Sequence, residues 1–307
     1  MKNSVENRYI WLGGEILHVN EAKINVLSPT SQFGANVFEG IRCYWNEKDE
    51  QLYAFRLKEH YERLQQSVKI LKMNSQYSIQ NLEKYMRDVV IAEGYKEDIA
   101  VRQTIFLDGF GTWNSQEKVN MFIAPIPKAR TVFSKESGLR CKISSWQRIS
   151  DMDLSPRAKV GANYINSRMA QLEAIESGFD SAVFLNSNGK VAEGPGSCLF
   201  IVRNGKLITP PVTASILDSI TRKTVIELVE TEMDIEVVER DIDRTELYIC
   251  DEAFLCGSAM EVKAIKNVDG YDINGAFNIA KAIHELYLDV VSGNQKKYMH
   301  WLTGIYN

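Results

Sequence analysis

Strand-like runs in this chain meet across tight turns more often than across helices, and that pairing most restricts the fold it can reach. Tyr9-Ile10-Trp11-Leu12 and Glu15-Ile16-Leu17 flank Gly13-Gly14, a hairpin signal. Ile41-Arg42-Cys43-Tyr44-Trp45 and Leu52-Tyr53-Ala54-Phe55 read as a second pair. A helix fits residues 57–71, where Tyr61, Leu64, Val68 and Leu71 recur at three- and four-residue steps. Residues 79–92 form a second helix, stopped by Gly94, and 100–107 and 119–124 read as strands. Further on, Leu139, Cys141 and Ile143 alternate with polar residues, and 163–177 is an amphipathic helix ended by Gly178. Strands are predicted at 182–185 and 199–202, helices at 220–233 and 273–291, then a polar tail. Hairpins outnumber βαβ units, so an α+β fold is expected rather than a doubly wound sheet.

A chain of 307 residues exceeds one ordinary core of roughly 100–200 residues, so two domains are expected. Residues 125–138 hold two prolines, several charges and no period, and read as the linker. That places an N-terminal α/β domain at 1–124 and a C-terminal domain at 139–307. A net charge of -4 without a basic stretch argues against nucleic acid as a partner. Five scattered cysteines without C-x-x-C read as reduced thiols, and four histidines without metal-ligand spacing give no zinc site. No window approaches the roughly 18 apolar residues of a membrane span, so a soluble, cytoplasmic protein is expected.

Three segments could carry chemistry. Lys159 stands in Pro156-Arg157-Ala158-Lys159-Val160-Gly161-Ala162-Asn163-Tyr164, small residues leading into a helix. A buried lysine there would lose proton affinity and become a nucleophile, whereas a solvated loop lysine would do nothing. In Glu193-Gly194-Pro195-Gly196-Ser197-Cys198-Leu199-Phe200 a carboxylate enters a glycine turn that runs into an apolar strand. That is a plain turn glutamate, or the carboxylate that keeps a pyridine nitrogen protonated and makes the ring an electron sink. Leu217-Asp218-Ser219-Ile220-Thr221-Arg222 opens a helix that Asp218 or Ser219 can cap. The backbone donors of Ile220 and Thr221 are then left for a phosphate.

In order and spacing these segments resemble the fold-type IV enzymes that use pyridoxal 5′-phosphate (PLP), the class IV aminotransferases. The resemblance spans nearly the whole chain and is strongest to the bacterial branched-chain amino acid aminotransferases. It rests also on Gly34-Ala35-Asn36-Val37-Phe38-Glu39-Gly40-Ile41-Arg42-Cys43-Tyr44, on Glu59-His60-Tyr61-Glu62-Arg63-Leu64, on Val101-Arg102-Gln103-Thr104-Ile105-Phe106 and on Gly257-Ser258-Ala259-Met260-Glu261.

The resemblance implies a two-domain α+β architecture like that of D-amino-acid aminotransferase. It implies that Lys159 carries the cofactor and, once freed, shuttles a proton between the substrate's α-carbon and the cofactor's C4′. Tyr164 would bond the cofactor's phenolic oxygen and Glu193 its ring nitrogen, with Leu217 against the ring. Arg63, the amides of Ile220 and Thr221 and the hydroxyls of Thr221 and Ser258 would hold the phosphate. Phe38 would line the substrate pocket, the turn at Ser258 and Ala259 would take the α-carboxylate, and Arg102 the distal carboxylate of glutamate. The implied reaction moves the amino group of L-leucine, L-isoleucine or L-valine to 2-oxoglutarate. D-amino-acid or (R)-amine transamination and aminodeoxychorismate lysis are the alternatives within the same fold. A homo-oligomer, at least a dimer, is implied, with Asp108-Gly109-Phe110-Gly111-Thr112-Trp113 a candidate loop toward a neighbour. Against the branched-chain pattern stand Ala100 and Phe33 in place of tyrosines, and Ile126-Pro127-Lys128-Ala129-Arg130 without its aromatics. Ser197 and Cys198 likewise stand in place of an acid and an asparagine.

Overall fold

The computed structural model describes residues 8–306. The chain divides into two compact units. One comprises the described residues through Arg130, Ala158–Ala162 and the residues from Asp289 onward; the other comprises Thr131–Arg157 and Asn163–Leu288. A single passage within 125–138 is therefore not the whole division, because the chain returns to the first unit at Ala158–Ala162 and again near its end.

In the first unit β1 (Tyr9–Leu12) and β2 (Glu15–His18) form the expected hairpin. A short helix α1 (Pro29–Phe33) precedes β3 (Asn36–Asn46) and β4 (Gln51–Phe55), and α2 (Leu57–Ile70) and α3 (Ile79–Glu93) follow. Next come β5 (Ile99–Leu107) and β6 (Val119–Pro127). The antiparallel sheet runs from a C-terminal strand, Leu302–Gly304, through β4, β3, β5, β6 and β1 to β2. Strand side chains alternate between faces. Val37, Ile41 and Cys43 of β3 join Tyr61 and Leu64 of α2 and Leu82 and Met86 of α3 in one core. Glu39 shares their parity and is fully buried. The other face carries Phe38, Gly40 and Arg42, opposite Thr104, Arg102 and Ala100 of β5.

Two expectations need correction here. Residues 125–127 are strand, with Val101 opposite Pro125 and Ala100 opposite Ile126. The prolines are tolerated because, among the described residues, β1 pairs with β6 only at Phe122 and Ile123, so no described strand calls for an amide donor at Pro125 or Pro127 on that side. Nor is the C-terminus a mere polar tail. A 3₁₀ turn, Lys296–Trp301, buries Tyr298 and Trp301, and the Arg56 guanidinium lies 3.7 Å from the Trp301 ring centroid.

The second unit contains β7 (Leu139–Ile143), α4 (Asn163–Glu176), β8 (Ser181–Val183), β9 (Cys198–Arg203) and β10 (Lys206–Thr209). These are followed by α5 (Ile220–Glu232), β11 (Val237–Glu239), α6 (Glu246–Ile249), β12 (Glu252–Gly257), β13 (Glu261–Val268), β14 (Tyr271–Asp272) and α7 (Asn278–Val291). Its mixed sheet has the order β11-β10-β9-β12-β13-β7-β8, with β14 on β13. Parallel pairs join β7 to β8 and to β13, and β10 to β11. Strand β12 is buried along its whole length, which erases the alternation that announces a strand in sequence. Helix α7 begins later than the predicted 273. A Cβ on Gly275 would stand 1.7 Å from the Asp251 carbonyl oxygen, and Phe277 has φ 58°. Glu252 instead caps the helix, accepting from the amides of Ile279 and Ala280 at 3.2 and 2.8 Å. All five cysteines are free and buried, and no helix among the described residues is long and apolar enough to cross a membrane.

Candidate active site

Within the first unit, β3 and α2 gather Lys159, Arg63 and Phe38. The segment around Lys159 is pinned to β3 by backbone bonds. Phe38 N–H donates to the Lys159 carbonyl at 3.0 Å and Gly161 N–H to the Asn36 carbonyl at 3.1 Å. A Cβ on Gly161 would lie 2.4 Å from Asn36 Oδ1, so any larger residue here would force that side chain to move. Lys159 is half-buried, with its Nζ 5.0 Å from the Phe38 ring centroid. Arg102 lies over the same ring, its guanidinium carbon 3.3 Å from the centroid. Phe38 itself is buried, whereas Arg102 remains exposed along β5.

Arg63 is held by a carboxylate. Glu39 accepts from Arg63 Nε on Oε1 at 2.8 Å and from Nη2 on Oε2 at 2.7 Å, and His60 Nδ1 lies 2.7 Å from that same Oε2. Burial pushes the Glu39 carboxyl up, but the charges and hydrogen bonds of Arg63 and His60 outweigh it and hold the carboxyl well below the usual range. Burial dominates at His60 and lowers its pKa despite Glu39.

Within the second unit Glu193 sits at the mouth of a turn closed by the Gly194 N–H bond to the Ser197 carbonyl, 2.8 Å. The residue is 4% exposed. Arg148 Nε donates to Oε1 at 2.8 Å and Leu217 N–H to Oε2 at 3.2 Å. The turn also borders two other expected site segments. A Cβ on Gly196 would stand 3.9 Å from Tyr164 Cε1, and one on Gly257 would stand 3.3 Å from the Gly196 carbonyl oxygen. Ser258 is half-buried and Ala259 exposed in the turn after β12. Ser219, not Asp218, caps α5, its hydroxyl accepting from Arg222 N–H at 3.3 Å. Ile220 and Thr221 are buried, and their amides precede the first residue able to find a helical acceptor. Nearby, Arg222 is 2% exposed and donates to Pro210 and Glu239, which anchors this end of the helix.

Each unit, taken by itself, carries groups whose chemistry fits PLP. Two amides at a buried helix N-terminus suit a phosphate. A carboxylate whose countercharge comes from Arg148 suits a ring nitrogen, and an amine beside an aromatic ring suits a covalent anchor. Arg148, Glu39 and Ser67 lie outside the motifs' assigned roles, and no local pattern marks them.

The sequence pattern of the family described as amino-transferase class IV matches residues 36–268. A probable branched-chain-amino-acid aminotransferase of Aquifex aeolicus is 39% identical over all of both chains. The branched-chain amino acid aminotransferase of Thermobaculum terrenum in its PLP form superposes with a TM-score of 0.91 at 38% identity, covering 98% of this chain and 99% of that one. The branched-chain aminotransferase of Thermoproteus uzoniensis with norvaline also gives 0.91, at 40% identity over 97% of this chain and 99% of that one.

Proposed function

The chain belongs to the class IV aminotransferases, and from that premise we propose that it moves the amino group of L-leucine, L-isoleucine or L-valine to 2-oxoglutarate. It is an aminotransferase and its cofactor is PLP. The observation that carries the residue assignment is the buried Glu193 carboxylate, fixed from two sides by Arg148 and Leu217.

When bound, PLP supplies an electron sink for the electron pair left on the substrate's α-carbon. Lys159 Nζ would hold the cofactor and would act as the base and acid that moves the substrate's α-proton. Glu193 would keep a proton on the ring nitrogen, and Tyr164 would bond the phenolic oxygen. Leu217 packs against the ring. Arg63, the amides of Ile220 and Thr221, and the hydroxyls of Thr221 and Ser258 hold the phosphate. The amides at Ser258 and Ala259 take the α-carboxylate.

Phe38 and Arg102 together answer the demand that one pocket accept an apolar side chain and then a carboxylate. With a branched side chain present, the guanidinium stays stacked on the Phe38 ring, where its charge is partly stabilised. With 2-oxoglutarate it pairs with the distal carboxylate. A charge-assisted bond of about 1.5–3 kcal/mol corresponds to roughly a 10- to 100-fold effect. Arg102→Ala should therefore raise KM for 2-oxoglutarate at least about tenfold. The leucine half-reaction should stay within roughly threefold in single-turnover kinetics.

Glu193→Gln, which keeps the shape and loses the charge, should lower kcat by about 10²-fold or more while the protein still binds PLP. Steady-state rates and cofactor titration read the two effects separately.

We assign the enzyme to the cytoplasm and to a homo-oligomer of at least two subunits. The free cysteines support the first, and the exposed apolar side chains of Met152, Ile165 and Met169 are consistent with the second. A donor screen tests the substrate. L-leucine with 2-oxoglutarate should give the highest turnover. Faster turnover of D-alanine or an (R)-amine, or pyruvate release from aminodeoxychorismate, would replace the branched-chain reading.

A further inference from the structure

The polar contacts of the first unit form a closed brace around the two groups assigned to the cofactor there. Strand β3 holds the Lys159 carbonyl through Phe38 N–H, the Gly161 amide two residues on through the Asn36 carbonyl, and the Arg63 side chain through Glu39. Helix α2 carries Arg63 and, one turn later, Ser67. Ser67 is fully buried. Its Oγ donates to the Arg63 carbonyl at 3.0 Å and accepts from Lys159 N–H at 3.0 Å. A hydroxyl has one proton and two lone pairs. With the proton committed to the helix, the lone pairs are left for the lysine segment. Packing alone would favour alanine here, since a buried serine in a helix interior gains nothing unless its hydroxyl is paired.

We infer that Ser67 is a positioning residue for the reactive amine, tying the main chain of Lys159 to the helix that carries Arg63. This rests on the reading of Lys159 as the cofactor lysine. A lysine side chain is a long flexible stem, so Nζ is placed only as well as the backbone beneath it. The carbonyl of Lys159 is fixed by β3 and its amide by Ser67. Removing the hydroxyl leaves the amide without that acceptor and loosens one side of the segment, while β3 and Arg63 stay in place.

The test uses PLP-loaded wild type and Ser67→Ala, with Ser67→Cys as a second variant that keeps a weaker acceptor. The visible band of the lysine-linked cofactor is titrated with pH, cofactor release is timed after dilution, and kcat is separated from KM. Borohydride reduction followed by peptide mass analysis locates the modified lysine. Ser67→Ala should shift the spectral midpoint by about half a pH unit or more, which is about a threefold change in the proton equilibrium. Cofactor release should speed up several-fold and kcat fall with little change in KM, and Ser67→Cys should lie between. A merely structural role would lower thermal stability and leave the spectral midpoint alone, which overturns the inference. If Ser67→Ala does not fold, the midpoint of Ser67→Cys decides, and no shift overturns it equally. Borohydride labelling in wild type at a lysine other than Lys159 would instead remove the premise. Labelling at Lys159 with an unmoved midpoint removes only the inference about Ser67.

Discussion

Lys159→Ala should abolish the visible band of lysine-linked PLP and lower transamination by roughly 10³- to 10⁴-fold or more. That range is the usual scale for losing a positioned proton-transfer group, here compounded by loss of the covalent anchor. The variant should still fold. Lys159 is only half-buried, and the hydrogen bonds that fix its segment involve backbone atoms that alanine retains. It should also still bind PLP non-covalently, because Arg63 and the α5 amides are untouched. Equal thermal midpoints with loss of turnover are the expected pair of results. Residual activity within tenfold of wild type would assign the chemistry to another amine.

Glu39→Ala should be the most destabilising single change. It removes the carboxylate to which both Nε and Nη2 of Arg63 donate, and with it the charge that balances a buried guanidinium. Breaking a buried pair from one side costs about 3–5 kcal/mol. At roughly 2–4 °C per kcal/mol for a chain of this size class, the midpoint of thermal unfolding should drop by about 10 °C. Glu39→Gln keeps an acceptor and should cost less. The pH dependence follows from the same trio. Both the Glu39 carboxyl and the His60 imidazole have pKa values lowered from 4.5 and 6.5 in the folded chain. The unfolded chain therefore binds more protons on the acid side. The stability these groups contribute is complete above about pH 6.5 and falls as the pH passes down through 6.5 for His60, then below 4.5 for Glu39. Unfolding midpoints at about pH 8, 6, 4 and 3 should decline steadily in wild type. In Glu39→Ala the loss below about pH 4.5 should shrink while the loss below 6.5 persists, because Glu39 opposes the burial that lowers His60. Identical slopes would show that this cluster does not set the acid sensitivity.

What is legible in the chain is what local pattern encodes. The Gly13-Gly14 hairpin, helix α2, and helix α3 with its stop at Gly94 follow from turn chemistry and periodicity, and the structure has them nearly to the residue. The start of α7 does not follow, because a distant carboxylate, Glu252, and the crowding at Gly275 set it. Strand β12 is hidden by burial on both faces. The site divides the same way. Lys159, Glu193 and the α5 N-terminus lie in strings that can be recognised. Arg148 reaches Glu193 across 45 residues and Ser67 reaches Lys159 across 92, so only the folded chain brings them together. Glu39 lies inside a motif, yet nothing local says that its partner is Arg63.

The decisive observation is the visible spectrum of the PLP-loaded protein as L-leucine, and then 2-oxoglutarate, are added. The band of the lysine-linked cofactor should bleach with L-leucine and return with 2-oxoglutarate, in wild type and not in Lys159→Ala. A wild-type protein with no such band, or a band that ignores L-leucine and bleaches with D-alanine, would contradict this assignment.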